Sequence, residues 1–249
     1  MNESEFYDLP PTSIPLKQFH IKSEATKIPL AAARNMGAAH ASHDLLVFLD
    51  VDCISAPDLI SNYLSIQQQT EALVMGEIMY LPPAFTHGTW NMSMLREVAV
   101  AHPRRPKISR LWRIEQAYEL FWSLNFSISK HLFAQINGFD TQYQGYGAED
   151  TDFAFMARKL DIPFVLGQAR AYHQHHPVYR PPLQHFKDII VNARRFYEKW
   201  NIWPMDAWLQ AFAELKLISW NKKSSTIEII RHPSDEEVKA AYHEAPAGF

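Results

Sequence analysis

The sequence predicts an α/β layer fold with a mixed, mostly parallel central sheet flanked by helices, and three observations carry that reading. Short apolar runs alternate with segments of helical periodicity along 249 residues, the pattern of a layered α/β domain. One such run, Leu45–Leu49, is followed by two carboxylates, Asp50 and Asp52, and in open α/β sheets ligands sit beyond the carboxyl ends of the strands. A composition of 47% hydrophobic, 20% charged and 13% aromatic residues excludes disordered, collagenous and coiled-coil chains. A chain of this length buries roughly three-quarters of its unfolded surface and needs no disulfide to fold.

Each element has its own warrant. Residues 1–16 read as an extended lead-in, because Pro10, Pro11 and Pro15 exclude regular helix. The Ala-rich residues 28–42 predict a helix lying close on a sheet, and Leu45 to Leu49 a strand buried on both faces. Ser55 as N-cap, Pro57 in the first turn and Asp58 three positions after the cap give the next helix a capping-box-like start. Leu59, Tyr63 and Ile66 form its stripe. A second strand covers residues 72–82. Residues 85–114, with the basic run HPRRPK at 102–107, read as a long loop or lid-like insertion. Beyond it come a strand at 123–129, a short helix at 130–136 and a loop at 137–150. Phe153, Met156, Ala157 and Leu160 then mark one face of a helix. Residues 162–172 predict a strand, and residues 183–200 a long amphipathic helix. Another helix is expected within 204–218, and the last 17 or so residues read as a polar tail.

Charge and cysteine usage narrow the function. With 24 basic and 27 acidic residues the net charge is −3, which leaves no bulk positive field to hold nucleic acid. Cys53 is the single cysteine, so an intrachain disulfide or a cysteine-based zinc site is excluded. The start MNESEFYDLPPTSIP is acidic and Pro-rich where a signal peptide is basic and then apolar, and no run approaches a transmembrane span. A soluble cytoplasmic protein is expected.

Three constellations could do chemistry. In an extended segment Asp50 and Asp52 would point to one side, where two like charges repel unless compensated; Mg²⁺ or Mn²⁺ is the usual compensation, and a solvated turn is the bland alternative. The second is GYGAEDTD at 145–152. Acidic residues are favoured at any helix N-terminus, but a carboxylate there can also serve as a general base beside an aromatic such as Tyr146 that stacks on substrate. The third is HQHHP at 173–177, three histidines within four positions at a strand end, which resemble a ligand cluster. If the strand continues, His173 and His175 point one way and His176 the other, so the binding histidine stays open. Arg34 and Asn35 could hold a diphosphate or nucleobase, and HPRRPK could be a further anion contact or a solvated loop.

Taken together, these segments resemble a GT-A glycosyltransferase of the family 2 type, with a C-terminal half similar to the galactosyltransferases that carry G-[WY]-G-x-E-D. The stretches AAARNMGAAHASHDLLVFLDVDC and NFSISKHLFAQINGFDTQYQGYGAEDTDFAFMARK carry the likeness, with YHQHHP falling where the family places a metal-binding histidine. The resemblance implies a metal-dependent, inverting transferase that takes a nucleotide-sugar, most simply a UDP-sugar, to a carbohydrate or other hydroxyl acceptor. It implies that Asp52 binds Mn²⁺ or Mg²⁺, that His173 or His176 completes the metal shell, and that Asp50, with Arg34 and Asn35, serves the donor. Glu149, with Tyr146 and Gly147, would meet the acceptor, and Asp150 would deprotonate the attacking hydroxyl. Residues 1–203 would form the GT-A domain and 204–249 a C-terminal helix and tail. The family's opening strand, helix and strand have no counterpart here, so a shortened front edge is expected, with an exposed sheet edge that a homo-oligomer could cover. Two other readings are a metal-dependent phosphodiester hydrolase, with two ions about 4 Å apart, and a non-catalytic domain that binds carbohydrate or a partner.

Overall fold

The computed structural model describes residues 11–22, 28–103 and 105–244. Of the expected lead-in, residues 1–10 lie outside the described residues, and 11–22 hold neither helix nor strand, as their prolines require. Helix α1 (Leu30–His40) buries Ala31 and Ala38, small side chains that let it lie close on the sheet. Strand β1 (Leu45–Leu49) leads through a turn at Val51 and Asp52 into β2 (Cys53–Ser55). Ser55 therefore belongs to a strand. Helix α2 (Leu59–Gln67) starts later, with Asp58 at its N-cap and no side-chain cap, so the expected capping box at Ser55 does not form; the stripe of Leu59, Tyr63 and Ile66 is buried as expected. Strand β3 (Leu73–Tyr80) follows.

Residues 85–114 correct the expectation of an irregular loop. They contain α3 (Met92–Val98), β4 (Val100–Ala101) and the start of β5 (Trp112–Glu115). Asn91 caps α3, its side chain accepting from the backbone of Ser93 at 3.0 Å and Met94 at 3.1 Å. These strands are too short to carry a readable period, and α3 buries Leu95 alone. Next come β6 (Asn125–Ser129), α4 (Lys130–Ile136), α5 (Glu149–Lys159) and β7 (Phe164–His173), where they are expected. After β8 (Val178–Tyr179) and the long α6 (Phe186–Trp200) come α7 (Asp206–Glu214), β9 (Ile218–Ser219), β10 (Glu228–Ile229), α8 (Asp235–Ala240) and β11 (Tyr242–His243). The segment expected to be a polar tail is therefore folded as far as residue 244. Ser234 and Glu237 form a reciprocal capping box on α8, and β11 pairs antiparallel with β8.

Among the described residues the main sheet runs β1-β6-β3-β7-β2, with β4 on β3 and β5 on β7. β1, β3 and β7 share one direction, because β6 is antiparallel to both β1 and β3 while β7 is parallel to β3. The mostly parallel expectation holds for the direction of these three strands. Between neighbours only β3 and β7 pair in parallel, since β6 is inserted in reverse; a buried apolar run reads alike in either direction, so the sequence hides this. No strand precedes α1 among the described residues, and β1 pairs only with β6, which leaves that edge open.

Aromatic packing covers one face of the sheet, Phe139 stacking on Phe153 at 4.2 Å and Phe126 lying beneath; α2 covers the other through Tyr63 and Ile66. A separate core joins α6 to α7 and β9 through Ile189, Ile190, Leu209, Phe212 and Leu217. The sheet is irregular midway along β3. This strand pairs with β6 at Val74 and Met75 and with β4 at Met79 and Tyr80, and its register with β7 shifts between Gly76 and Ile78. Asn125 bridges the irregularity, donating to the carbonyl of Ala169 at 2.7 Å and accepting from the Tyr63 hydroxyl at 2.7 Å.

Candidate active site

β2 pairs with the last turn of β7, Cys53 opposite His173, and the Gln174 N–H donates to the Asp52 carbonyl at 2.8 Å. That register brings Asp52 beside the histidines. One Asp52 oxygen lies 3.5 Å from His173 Nε2 and 3.7 Å from His176 Nε2, and the three ligand atoms all lie within 4.8 Å of one another. The strand ends at His173, so the chain turns and His176 folds back, its ring 5.1 Å from that of His173. The alternation expected for a continuing strand is corrected: His173 and His176 converge. Burial holds the His173 imidazole below its usual range, which keeps a nitrogen lone pair available at neutral pH. One carboxylate and two imidazoles at this spacing fit a divalent cation, and two nitrogen donors suit Mn²⁺ better than Mg²⁺.

Asp50 has a different task. The segment is a turn, not extended backbone, so the two carboxylates diverge in partners. Arg34 Nη2 lies 3.2 Å from Asp50 and its Nη1 3.5 Å from Glu149, with the guanidinium largely buried over the Phe139 ring at 5.2 Å. Arg34 thus ties the end of β1 to the start of α5. Asn35 bonds to backbone: its Oδ1 accepts from the Phe139 N–H and its Nδ2 donates to the Phe139 carbonyl, both at 2.8 Å. With both ends of the carboxamide engaged, Asn35 clamps the loop before α5.

At the start of α5, Glu149 is buried, and its carboxyl is pushed up to about 7, by burial first and then by the charge of Asp150. The Asp150 carboxyl is also raised, chiefly by burial; it accepts from the Thr151 N–H at 2.7 Å. Two neighbouring carboxylates with raised affinity for protons suit proton transfer. Asp152 is structural. It is 1% exposed and accepts from Trp200 Nε1 at 2.7 Å, Lys199 Nζ at 2.8 Å and the Tyr143 hydroxyl at 3.2 Å.

The loop before these acids is held from behind by the C-terminal helices. Asn192 of α6 donates to the carbonyls of Gln144, Tyr146 and Gly147 at 3.0, 3.2 and 3.0 Å. Gly147 has φ +97°, and a Cβ there would come within 2.6 Å of Met205 Sδ, so only glycine fits. The Tyr146 ring stacks on His185 at 4.4 Å and on Trp208 at 5.7 Å, which puts part of its face against the protein's own rings and widens the aromatic surface to three side chains.

Beside the site stand four residues, of which Tyr80 and Trp122 escape sequence reading. Tyr80 lies in register with His173, its ring 5.1 Å away; burial raises the phenol to about 12, and the charges of Arg105, Asp52 and Tyr146 act on it. Behind it stand His102, Trp122 and Arg105. Only the basic run at 102–107 signalled this group. Among the described residues no helix is long and apolar enough to cross a membrane.

The family model described as glycosyltransferase like family 2 matches residues 13–175. Validoxylamine A glucosyltransferase of Streptomyces hygroscopicus subsp. jinggangensis (strain 5008) is 25% identical over 188 residues, covering 68% of this chain and 44% of its own length. Hyaluronan synthase of Pasteurella multocida is 23% identical over 182 residues, 64% of this chain and 19% of that protein. The chain thus spans less than half the length of these curated relatives. A crystal structure of GalNAc-T7 with UDP, GalNAc and Mn²⁺ overlaps 59% of this chain and 30% of that chain, with a TM-score of 0.45 and 16% identity.

Proposed function

The chain belongs to the glycosyltransferase-like family 2, and on that premise we propose that it is a metal-dependent, inverting hexosyltransferase that moves a sugar from a UDP-sugar to an acceptor hydroxyl. Its mixed sheet flanked by helices is the GT-A fold. The observation that carries the proposal is the convergence of Asp52, His173 and His176 in a fold that Arg34 ties to Glu149. A divalent cation bound by the three side chains would neutralise the leaving diphosphate as a Lewis acid. Asp50, oriented by Arg34, faces the donor, and Asp150 takes the proton of the acceptor hydroxyl while Glu149 holds a neighbouring hydroxyl. Tyr146, with His185 and Trp208, offers a face for the acceptor ring.

The donor set favours Mn²⁺ over Mg²⁺ for its two imidazoles. A single metal-sized cluster among the described residues, where a two-metal hydrolase needs two ions about 4 Å apart, favours transfer over phosphodiester hydrolysis. One relative named above is a glucosyltransferase, so UDP-glucose is the first donor to try, and the resemblance of residues 145–150 to the galactosyltransferase motif makes UDP-galactose the second. Calorimetry of UDP with and without Mn²⁺ tests the reading, together with the anomeric configuration of the product by NMR. Mn²⁺-dependent UDP binding that Asp52→Ala abolishes, and an inverted product, are expected; metal-independent binding, binding unchanged in the variant, or a retained configuration contradicts the reading.

A further inference from the structure

We propose that the cleft lined by β3, Ala101 and residues 105–108 is an acceptor subsite for an anionic group, a carboxylate or phosphate carried by a sugar-sized acceptor; the proposal rests on the glycosyltransferase reading above. Arg105 forms one wall. Its guanidinium lies over the Trp122 ring, Cζ 3.4 Å from the centroid, and Nη1 donates to the Leu120 carbonyl. Nη2 is buried with no hydrogen-bond partner among the described residues. Arg105 is only partly buried and lines the cleft, so a rotation of its guanidinium toward an anion would give Nη2 the acceptor it lacks, and a guanidinium edge matches the two oxygens of a carboxylate or phosphate. Burial lowers Arg105 to about 10, which still leaves it charged at neutral pH.

The surrounding charge points the same way. Arg105 and the exposed Lys107 bring two cations to the lining. The one carboxylate there, Glu77, is already paired with Arg170 at 2.7 Å. Size separates this cleft from the donor site: about 280 Å³ falls at the small end of ligand pockets, roughly 300–1,000 Å³, enough for one sugar residue and too little for a nucleoside diphosphate. Met75, Met79, Leu124 and Leu166 supply an apolar surface for a ring face. Position agrees with charge and size. Tyr80 belongs to the lining and also stands in register with His173, so it is the partition between the cleft and the Asp52 cluster. Asp150 is near enough for its charge to act on Arg105. An acceptor held by its anion at Arg105 would present its hydroxyls toward Asp150.

Ligand-observed NMR titrations of glucuronate, glucose 6-phosphate and glucose, on protein saturated with UDP and Mn²⁺, test this in wild type, Arg105→Gln and Lys107→Glu, with UDP and Mn²⁺ affinity measured separately by calorimetry. One of the anions should bind roughly tenfold more tightly than glucose, the scale of one hydrogen bond to a charged group, and which anion wins distinguishes carboxylate from phosphate. Arg105→Gln should erase the preference and Lys107→Glu reduce it about threefold or more, both leaving UDP affinity within about twofold. Lys107 is exposed, so its variant decides the matter if Arg105→Gln does not fold. Equal binding of glucose and both anions, or a preference that survives in the folded variants, overturns the proposal. So does a loss of UDP affinity in Arg105→Gln on the scale of its loss of anion binding, which would assign Arg105 to the donor diphosphate. Failure of UDP to bind wild type with Mn²⁺ refutes the glycosyltransferase reading instead, and the anion preference measured without nucleotide then judges the cleft by itself.

Discussion

The acidic residues after β1 and those opening α5 look alike as sequence, carboxylates one and two positions apart beside a strand end or a helix start, yet the fold compensates them differently. Some of them are paired with the protein's own cations, and Arg34 reaches one in each group, Asp50 and Glu149. Asp50 meets Arg34 at 3.2 Å, and Asp152, almost wholly buried, meets Lys199, Trp200 and Tyr143. Asp52 instead meets two imidazoles, and Asp150 accepts from Thr151 beside it. What a carboxylate does is thus set by its compensating partners more than by its neighbours in the chain.

Exchanging the two kinds of carboxylate should break the comparison most strongly at Asp150. Asp150→Asn should lower kcat by about 10²–10⁴, the contribution of a general base, with KM and melting temperature little changed in steady-state assays and thermal melts. Asp152→Ala should behave in the opposite way. Lys199 can turn to solvent while Tyr143 and Trp200 lose a buried acceptor, so urea unfolding should show a loss of about 2–3 kcal/mol with Mn²⁺ affinity kept in the folded fraction. Smaller again is Asn192→Ala, which strips three loop carbonyls of their donor and should cost about 1–2 kcal/mol. Its signature is a raised KM for acceptor with an unchanged KM for UDP-sugar, and equal changes in both would contradict a role confined to the 144–147 loop.

The mildest prediction concerns pH. The Glu149 carboxyl sits near 7 in the folded protein against an ordinary 4.5, so the native state binds the extra proton between these values. Stability from this group is present at acid pH and is lost as pH rises through about 7. Glu149→Gln removes that dependence. Its melting temperature without metal should exceed wild type by more at pH 8 than at pH 5.5, by a few degrees for about 1 kcal/mol; a gain confined to acid pH would show that the Arg34 contact dominates.

Long elements with a buried stripe, such as α2, β7 and α6, are legible in the sequence because burial repeats along them. Others, β2, α3, β4 and the folded segment after α7, are not, since the two- and three-residue strands carry no period, α3 buries Leu95 alone, and their place is set by partners far along the chain. For the site, Asp52, His173 and His176 are legible as residue types at strand ends. Their convergence depends on a turn at Asp52 and on β7 ending at His173, both tertiary facts. Asn35 shows the same dependence: a carboxamide beside Arg34 reads as a ligand contact, while the fold engages both its ends on Phe139. Tyr80 escapes sequence reading, and Arg105 stays open between two readings because no local pattern separates a cation beside a site from a solvated basic loop.

The proposed sugar transfer would rest on Asp52, His173 and His176 holding a cation against the donor diphosphate. Pulsed EPR of the protein with Mn²⁺ and UDP reads both contacts at once: ¹⁴N coupling from imidazole and ³¹P coupling from the diphosphate on the same ion, with the ¹⁴N signal reduced in His176→Ala and both signals lost in Asp52→Ala. Mn²⁺ that shows neither nitrogen coupling nor any dependence on Asp52 would contradict that role.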